Sequence, residues 1–245
     1  MRIAKAFAAS VLAVGCASVP PSPPMPATFV HLSQVAPTIR QDMRYAGHTN
    51  FIGRRIAGYQ AAQCIVTRET GQALKRTQEA LAKEGLTLVV FDCYRPTRAV
   101  ADFMQWAAKA GSADPVWRPN VAKDRLVPDG YIAERSGHSR GSTVDLAIAR
   151  VNPSQSDRDA RTSPCARADM NTLDFGTPFD CFDPASATAA ADISSVARAN
   201  RDILLKAMTE AGFRNYSAEW WHYTLVSETN KTEYYDFPVT PVPRR

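Results

Sequence analysis

The sequence predicts an α+β fold in a single domain. Stretches with helical spacing of apolar residues are interspersed with short apolar β runs, in an order that does not require parallel strands. At 245 residues the chain is long enough for one substantial domain. No internal repeat and no second linker divides it.

The N-terminus, residues 1–18, reads as an export signal. Arg2 and Lys5 form a short basic region, and an apolar run from Ala6 to Val14 follows. That run is too short to cross a bilayer as a helix. Leu12-Ala13-Val14-Gly15-Cys16 resembles a lipoprotein cleavage box, with cleavage before Cys16 and lipid on that cysteine; simple signal cleavage is the alternative. Residues 19–28 follow as a tether, with five prolines between Val19 and Pro26, an extended spacer suited to holding a domain away from a membrane. The expected location is therefore the periplasm or cell surface, with the membrane as a partner through the lipid.

The folded region is expected over 29–237. Thr67 to Glu84 carries Leu74, Thr77 and Leu81 at helical spacing and ends at Gly85. Leu86 to Phe91 is an apolar β run that delivers Asp92-Cys93-Tyr94-Arg95-Pro96 to its end. Thr97 to Lys109 returns to helical character, and Val144 to Ile148 reads as a strand with Asp145 near its start. Val151 to Pro184 is polar and turn-rich. Asp192 to Ala211 is a further helix closed by Gly212, and Trp221 to Val226 is a β run dense in aromatic and β-branched residues. Residues 238–245 are expected to fray as a flexible tail.

Charge excludes one function class. Net charge is +5, and falls to +3 without Arg2 and Lys5, scattered along the chain; Arg54-Arg55 is the densest basic spot, so no nucleic-acid partner is expected. With Cys16 set aside, Cys64, Cys93, Cys165 and Cys181 remain, and four cysteines in an exported chain allow three pairings. Cys165 and Cys181 bracket a loop-like segment while Cys64 and Cys93 flank a helix and a strand, which favours 64–93 with 165–181; four unpaired buried thiols are the alternative.

Two short motifs carry the chemistry. Ser136-Gly137-His138-Ser139-Arg140-Gly141-Ser142-Thr143-Val144-Asp145 supplies an imidazole and a carboxylate seven residues apart, joined by a turn for which Gly141 gives backbone freedom. Glu219-Trp220-Trp221-His222-Tyr223 supplies a second imidazole and a spare carboxylate. Three ligands with an open fourth position are the pattern of a catalytic zinc, and the spare carboxylate is what a hydrolase needs to deprotonate a water. Because Glu219 and His222 would face opposite sides of a flat strand, Glu219 is expected in the entering loop or at a bulge. The two tryptophans read as packing. Arg95, at a strand end, can face an oxyanion as it forms, or simply bond Asp92 or loop carbonyls. In Asp174-Phe-Gly-Thr-Pro-Phe-Asp180 a carboxylate can receive a cationic substrate end, or cap a turn. No Gly-x-Ser-x-Gly elbow supports a serine nucleophile.

Taken together these residues resemble the D-alanyl-D-alanine dipeptidases of the VanX type, within a wider group of zinc peptidases acting on D-alanyl peptides. The resemblance runs through Arg44-Tyr45-Ala46-Gly47-His48-Thr49-Asn50-Phe51-Ile52-Gly53, Gly58-Tyr59, Tyr94-Arg95-Pro96, Ser136 to Asp145, Gly176 to Asp180 and Glu219 to His222. It implies a central antiparallel sheet flanked by helices, of the hedgehog/DD-peptidase type, and one zinc ion held by His138, Asp145 and His222. It implies Glu219 as general base and Arg95 as stabiliser of the tetrahedral intermediate. Asp180 would take the substrate ammonium, with Tyr45 and Ser136 lining the pocket. Two departures, Thr49 in place of the usual Asp and a longer stretch between Asp145 and Asp174, are expected near the substrate entrance. Three readings compete: a dipeptidase cleaving D-Ala-D-Ala, a carboxypeptidase or endopeptidase trimming longer peptidoglycan stems, and a non-catalytic binder of cell-wall peptides. An intact Glu219 argues against the binder, which has no use for a base.

Overall fold

The computed structural model describes residues 22–153, 163–167, 169 and 171–243. The signal, Cys16 and the first tether residues lie outside the described residues. Among the described residues no helix is long and apolar enough to cross a membrane.

A five-stranded sheet organises the chain. Its strands are β2 (Arg40–Gln41), β4 (Leu86–Asp92), β5 (Thr143–Arg150), β6 (Phe213–Asn215) and β7 (His222–Leu225), in the spatial order β2-β4-β5-β7-β6. A separate antiparallel pair joins β1 (Phe29–His31) to β3 (Ile65–Thr67). The helices are α1 (Leu32–Val35), α2 (Arg68–Ala82), α3 (Thr97–Ala107) and α4 (Ser195–Glu210). The expected antiparallel sheet needs one correction: β2 runs parallel to β4. The long excursion through α2 between these strands gives the chain room for a parallel crossover.

Local chemistry sets the helix ends. Thr67 caps α2 by accepting from the Thr70 N–H, and Ser194 caps α4 by accepting from Ala197, which is why α4 starts three residues later than Asp192. Leu74 and Leu81 of α2 are buried, each contributing roughly 1.5–3 kcal/mol. The polar Gln78 on the same helix is also buried, but it is satisfied: it donates to Thr87 and accepts from the Leu88 N–H of β4. Arg201 of α4 is buried because its guanidinium donates to the carbonyls of Phe175, Ala185 and Ala187, tying the turn-rich segment to the helix.

Both ends of the predicted domain are corrected. Val239 is fully buried and bridges Tyr59, with its N–H donating to Gly58 and its carbonyl accepting from Gln60 and Ala61, so the expected flexible tail is tied down at its first residues. At the other end, the carbonyls of Pro26 and Thr28 accept from Phe29 and Arg68, and Met25 packs on the core, so the tether ends before Met25.

The sheet's register brings the chemistry together. Asp145 on β5 stands directly opposite Asp92 on β4 and His222 on β7. A register shift between Val90 and Asp92 leaves Phe91 as the extra residue, the mark of a bulge that re-aims a side chain at a strand end. The chain enters β5 through Gly141, whose φ is +85° and whose place would put a Cβ 2.1 Å from the Phe29 ring. Gly141→Ala is expected to cost roughly 2–4 kcal/mol, combining left-handed strain with overpacking. Chemical denaturation of the two proteins checks it; an unchanged midpoint contradicts it.

Candidate metal centre and its cavity

His138 sits in a 3₁₀ turn (Gly137–Arg140) that Ser136 caps by accepting from the His138 N–H and Gly141 closes. It is fully buried. Its Nδ1 lies 2.7 Å from the carbonyl of Cys93, a pure acceptor, so Nδ1 carries a proton and Nε2 is the nitrogen turned toward Asp145. Cys93 in turn is bonded to Cys64, which anchors the peptide that orients the imidazole.

The Nε2 of His138 is 3.2 Å from one oxygen of Asp145, and Nδ1 of His222 is 3.1 Å from the other. One ligand atom from each of the three residues lies within 4.8 Å of the others. His138 Nε2 and Asp145 Oδ1 are buried without a hydrogen-bond partner, a costly state for a polar atom and one that a cation among them would relieve. The donor set therefore fits a divalent metal: two imidazoles and one carboxylate, with a position left open.

The electrostatics agree. Burial pushes the Asp145 carboxyl up, but His138 and His222 outweigh it and hold the group below the usual carboxylate range. Burial pulls the His222 imidazole down, and Asp145 with Glu219 outweighs that and pushes it up to about 9. The centre attracts positive charge.

Glu219 lies in the loop between β6 and β7, not in the strand, with Oε2 3.3 Å from His222 Nδ1. Its carbonyl accepts from Asn215 and its N–H donates to Tyr216, so the loop backbone is held. Arg95 is fixed by an Nε bond of 2.8 Å to Asp92 and stands 3.4 Å from Asp145. Asp92 is itself gripped by the Tyr59 hydroxyl at 2.6 Å. The guanidinium also packs over the rings of Tyr45 and Phe103. Arg95 thus bonds Asp92, the second of the two sequence readings, and it also lines a cavity.

That cavity has a volume of about 340 Å³, the scale of a small ligand. Arg95, Asp145, Glu219 and His222 line it, as do Tyr45, Ser136 and Asp180. Asp180 is nearly buried, with both oxygens at 3.0–3.1 Å from the Tyr45 hydroxyl. Its φ of +61° is a left-handed conformation that Asp tolerates. The adjacent Cys181, bonded to Cys165, pins this turn. Burial, then the Asp145 charge, pushes the Asp180 carboxyl well above its ordinary value, so a cationic ligand has a strong effect there. Asp174 caps Gly176 instead of entering the cavity.

Several expectations are corrected. Thr49 is exposed, and neither it nor any described residue between Leu146 and Phe179 lines the cavity. Trp220 packs, stacked on Phe175, but Trp221 both packs and lines the cavity. Tyr131, Arg135 and Tyr216 also line it and carry no motif that reveals them. Asp92 was legible only as a possible partner of Arg95.

A family model described as D-ala-D-ala dipeptidase (peptidase M15) matches residues 25–240. The chain is 35% identical over 213 residues to a D-alanyl-D-alanine dipeptidase of Enterococcus faecium, covering 86% of this chain and 98% of that one. It is 34% identical over 217 residues to one from Streptomyces coelicolor, covering 88% and 100%. A third, from Escherichia coli K12, is 31% identical over 197 residues, covering 80% and 84%.

Proposed function

Since the chain belongs to the D-Ala-D-Ala dipeptidase family of M15 peptidases, we propose that it hydrolyses D-alanyl-D-alanine to two D-alanines, with one zinc ion and with Glu219 as general base. The observation that carries this reading is the cluster at the end of β5. Three ligand atoms lie within 4.8 Å, two unpartnered acceptors point to a cation, and Glu219 stands beside them in a cavity of about 340 Å³.

His138 through Nε2, Asp145 through its carboxylate and His222 through Nδ1 would hold the zinc. When bound, zinc supplies a Lewis acid that acidifies water and polarises a carbonyl. The chain's own residues do the rest. Asp180 receives the substrate ammonium, and Tyr45 holds Asp180 in place. Ser136, which lines the cavity, forms part of the wall that the peptide meets. Glu219 takes a proton from the attacking water as its oxygen bonds the peptide carbon; the C–N bond then breaks and Glu219 returns the proton to the departing amine. Arg95 faces the charge that grows on the carbonyl oxygen. Its pairing with Asp92 fixes the guanidinium before substrate arrives.

Arg95→Lys keeps a cation but loses the planar fork that reaches Asp92 and the cavity together. A loss of about 10²–10³ in kcat is expected, the usual scale for one oxyanion donor, with metal content unchanged; steady-state kinetics on the dipeptide read it, and near-normal turnover removes Arg95 from the role.

The small cavity supports a free dipeptide over a longer stem peptide. Release of D-alanine from D-Ala-D-Ala and from a pentapeptide stem, with and without zinc, is the direct test. Metal-dependent cleavage of the dipeptide is expected. Cleavage of the stem alone would replace this reading with a carboxypeptidase.

The two disulfides suit an oxidising compartment, and with the signal and tether they support export to the periplasm or cell surface and lipid attachment at Cys16. Cys16→Ser is then expected to move the protein from the membrane fraction to the soluble one. Equal membrane retention in both proteins contradicts the anchor.

A further inference from the structure

Outside the catalytic cavity, a second cavity of about 680 Å³ opens beneath the segment that follows α3. Three of its lining residues are cations, Lys109, Arg118 and Lys123. Lys109 is exposed at the rim, whereas Arg118 and Lys123 are only 5% and 8% exposed. The two buried cations converge. A Cβ on Gly111 would lie 3.5 Å from both Arg118 Nη2 and Lys123 Nζ, so the charged ends flank the space that this glycine leaves open.

Burying like charges side by side is costly unless an anion offsets them. Among the described residues no carboxylate does so. Arg118 donates to the Ser112 carbonyl, and its buried Nε has no partner. The Lys123 ammonium sits 4.1 Å from the centre of the Trp106 ring and forms no ion pair. Asp124 is among the lining residues and makes no ion pair with either. Burial, then Arg118 and Lys109, pulls the Lys123 pKa down, the signature of a cation lacking its counter-charge.

We propose that Arg118 and Lys123, with Lys109 at the rim, form an anion-binding site that takes a small oxyanion, a phosphate or carboxylate group, over Gly111. The planar guanidinium presents a fork of donors and the ammonium a point charge, a pair suited to an anion with several oxygens. The site is distinct from the catalytic centre but abuts its wall. The Trp106 ring beneath Lys123 packs edge-on against Phe51, which lines the catalytic cavity.

The test is calorimetric titration of the full chain with inorganic phosphate and, separately, with acetate, at constant ionic strength. Wild type is compared with Lys123→Met and Gly111→Ala. The first variant removes one cation. The second keeps every charge but places a Cβ 2.7 Å from Lys123 Cδ, which displaces the ammonium from the shared space. Melting curves confirm that each variant is folded. Saturable binding to wild type is expected, weakened at least about tenfold in both variants, the worth of one charged partner. An anion held at the metal centre would bind all three proteins equally. Binding of phosphate alone assigns a phosphoryl ligand; binding of acetate as well assigns a carboxylate. No saturable binding up to about 10 mM of either anion, or unchanged affinity in either variant, overturns the proposal.

Discussion

Glu219→Gln is expected to lower kcat on D-Ala-D-Ala by about 10²–10⁴, the range for a positioned acid or base, while the protein keeps its metal and its melting temperature. The argument is geometric. Glu219 Oε2 stands 3.3 Å from His222, close enough to reach a water at the metal, yet Glu219 is outside the set of three converging ligand atoms. Its loop is held by the Asn215 side-chain amide, which donates to the Glu219 carbonyl, and by the Glu219 N–H, which donates to the Tyr216 carbonyl, so the amide replaces the carboxylate without moving the chain. The amide keeps shape and hydrogen bonding but cannot accept the water's proton. Metal content measured beside kcat separates the two roles open to this residue. Loss of turnover with metal retained fits a base; loss of both would make Glu219 a ligand.

Asp145→Asn is expected to do the converse, removing metal and activity together. Asp145 is the one carboxylate among the three converging candidate ligands, and its two oxygens face His138 and His222 at 3.2 and 3.1 Å. It is also the central member of the row formed with Asp92 and His222 across β4, β5 and β7. Replacing it with an amide leaves the strand and the cavity shape but takes away the charge that balances a divalent ion. Even a ligand's hydrogen-bonding partner is worth about 10–100-fold in metal affinity, so losing a charged ligand is expected to cost more than about 100-fold. Metal titration of the stripped variant measures this. Wild-type affinity in Asp145→Asn would remove Asp145 from the centre.

The three residues that converge at the candidate centre were legible in the sequence, because two short motifs supply two imidazoles and a carboxylate and the family resemblance joins them. So were the long helices, from their apolar stripes and closing glycines, although the start of α4 is set by the Ser194 cap, inside the expected Asp192 to Ala211. Where sequence reasoning ran out, the missing information was non-local. Nothing in Asp92 by itself says that it will stand opposite Asp145, because that depends on a register set by a bulge at Phe91. Val239 looks like part of a proline-rich tail until Gly58 and Ala61 supply its hydrogen bonds from the far side of the chain. The two-residue strand Arg40–Gln41 is too short to show a period, and its parallel pairing follows from the crossover alone. Lys123 and Arg118 belong to no motif in the sequence; burial beside Gly111 is what makes them unusual.

Anomalous scattering at the zinc edge, from crystals of the zinc-loaded protein, tests the central claim most directly. The account predicts one strong peak at roughly 2 Å bonding distance from His138 Nε2, a carboxylate oxygen of Asp145 and His222 Nδ1, with Glu219 beside it but not bonded to it. A peak elsewhere in the molecule, or these three side chains without metal between them, would contradict it.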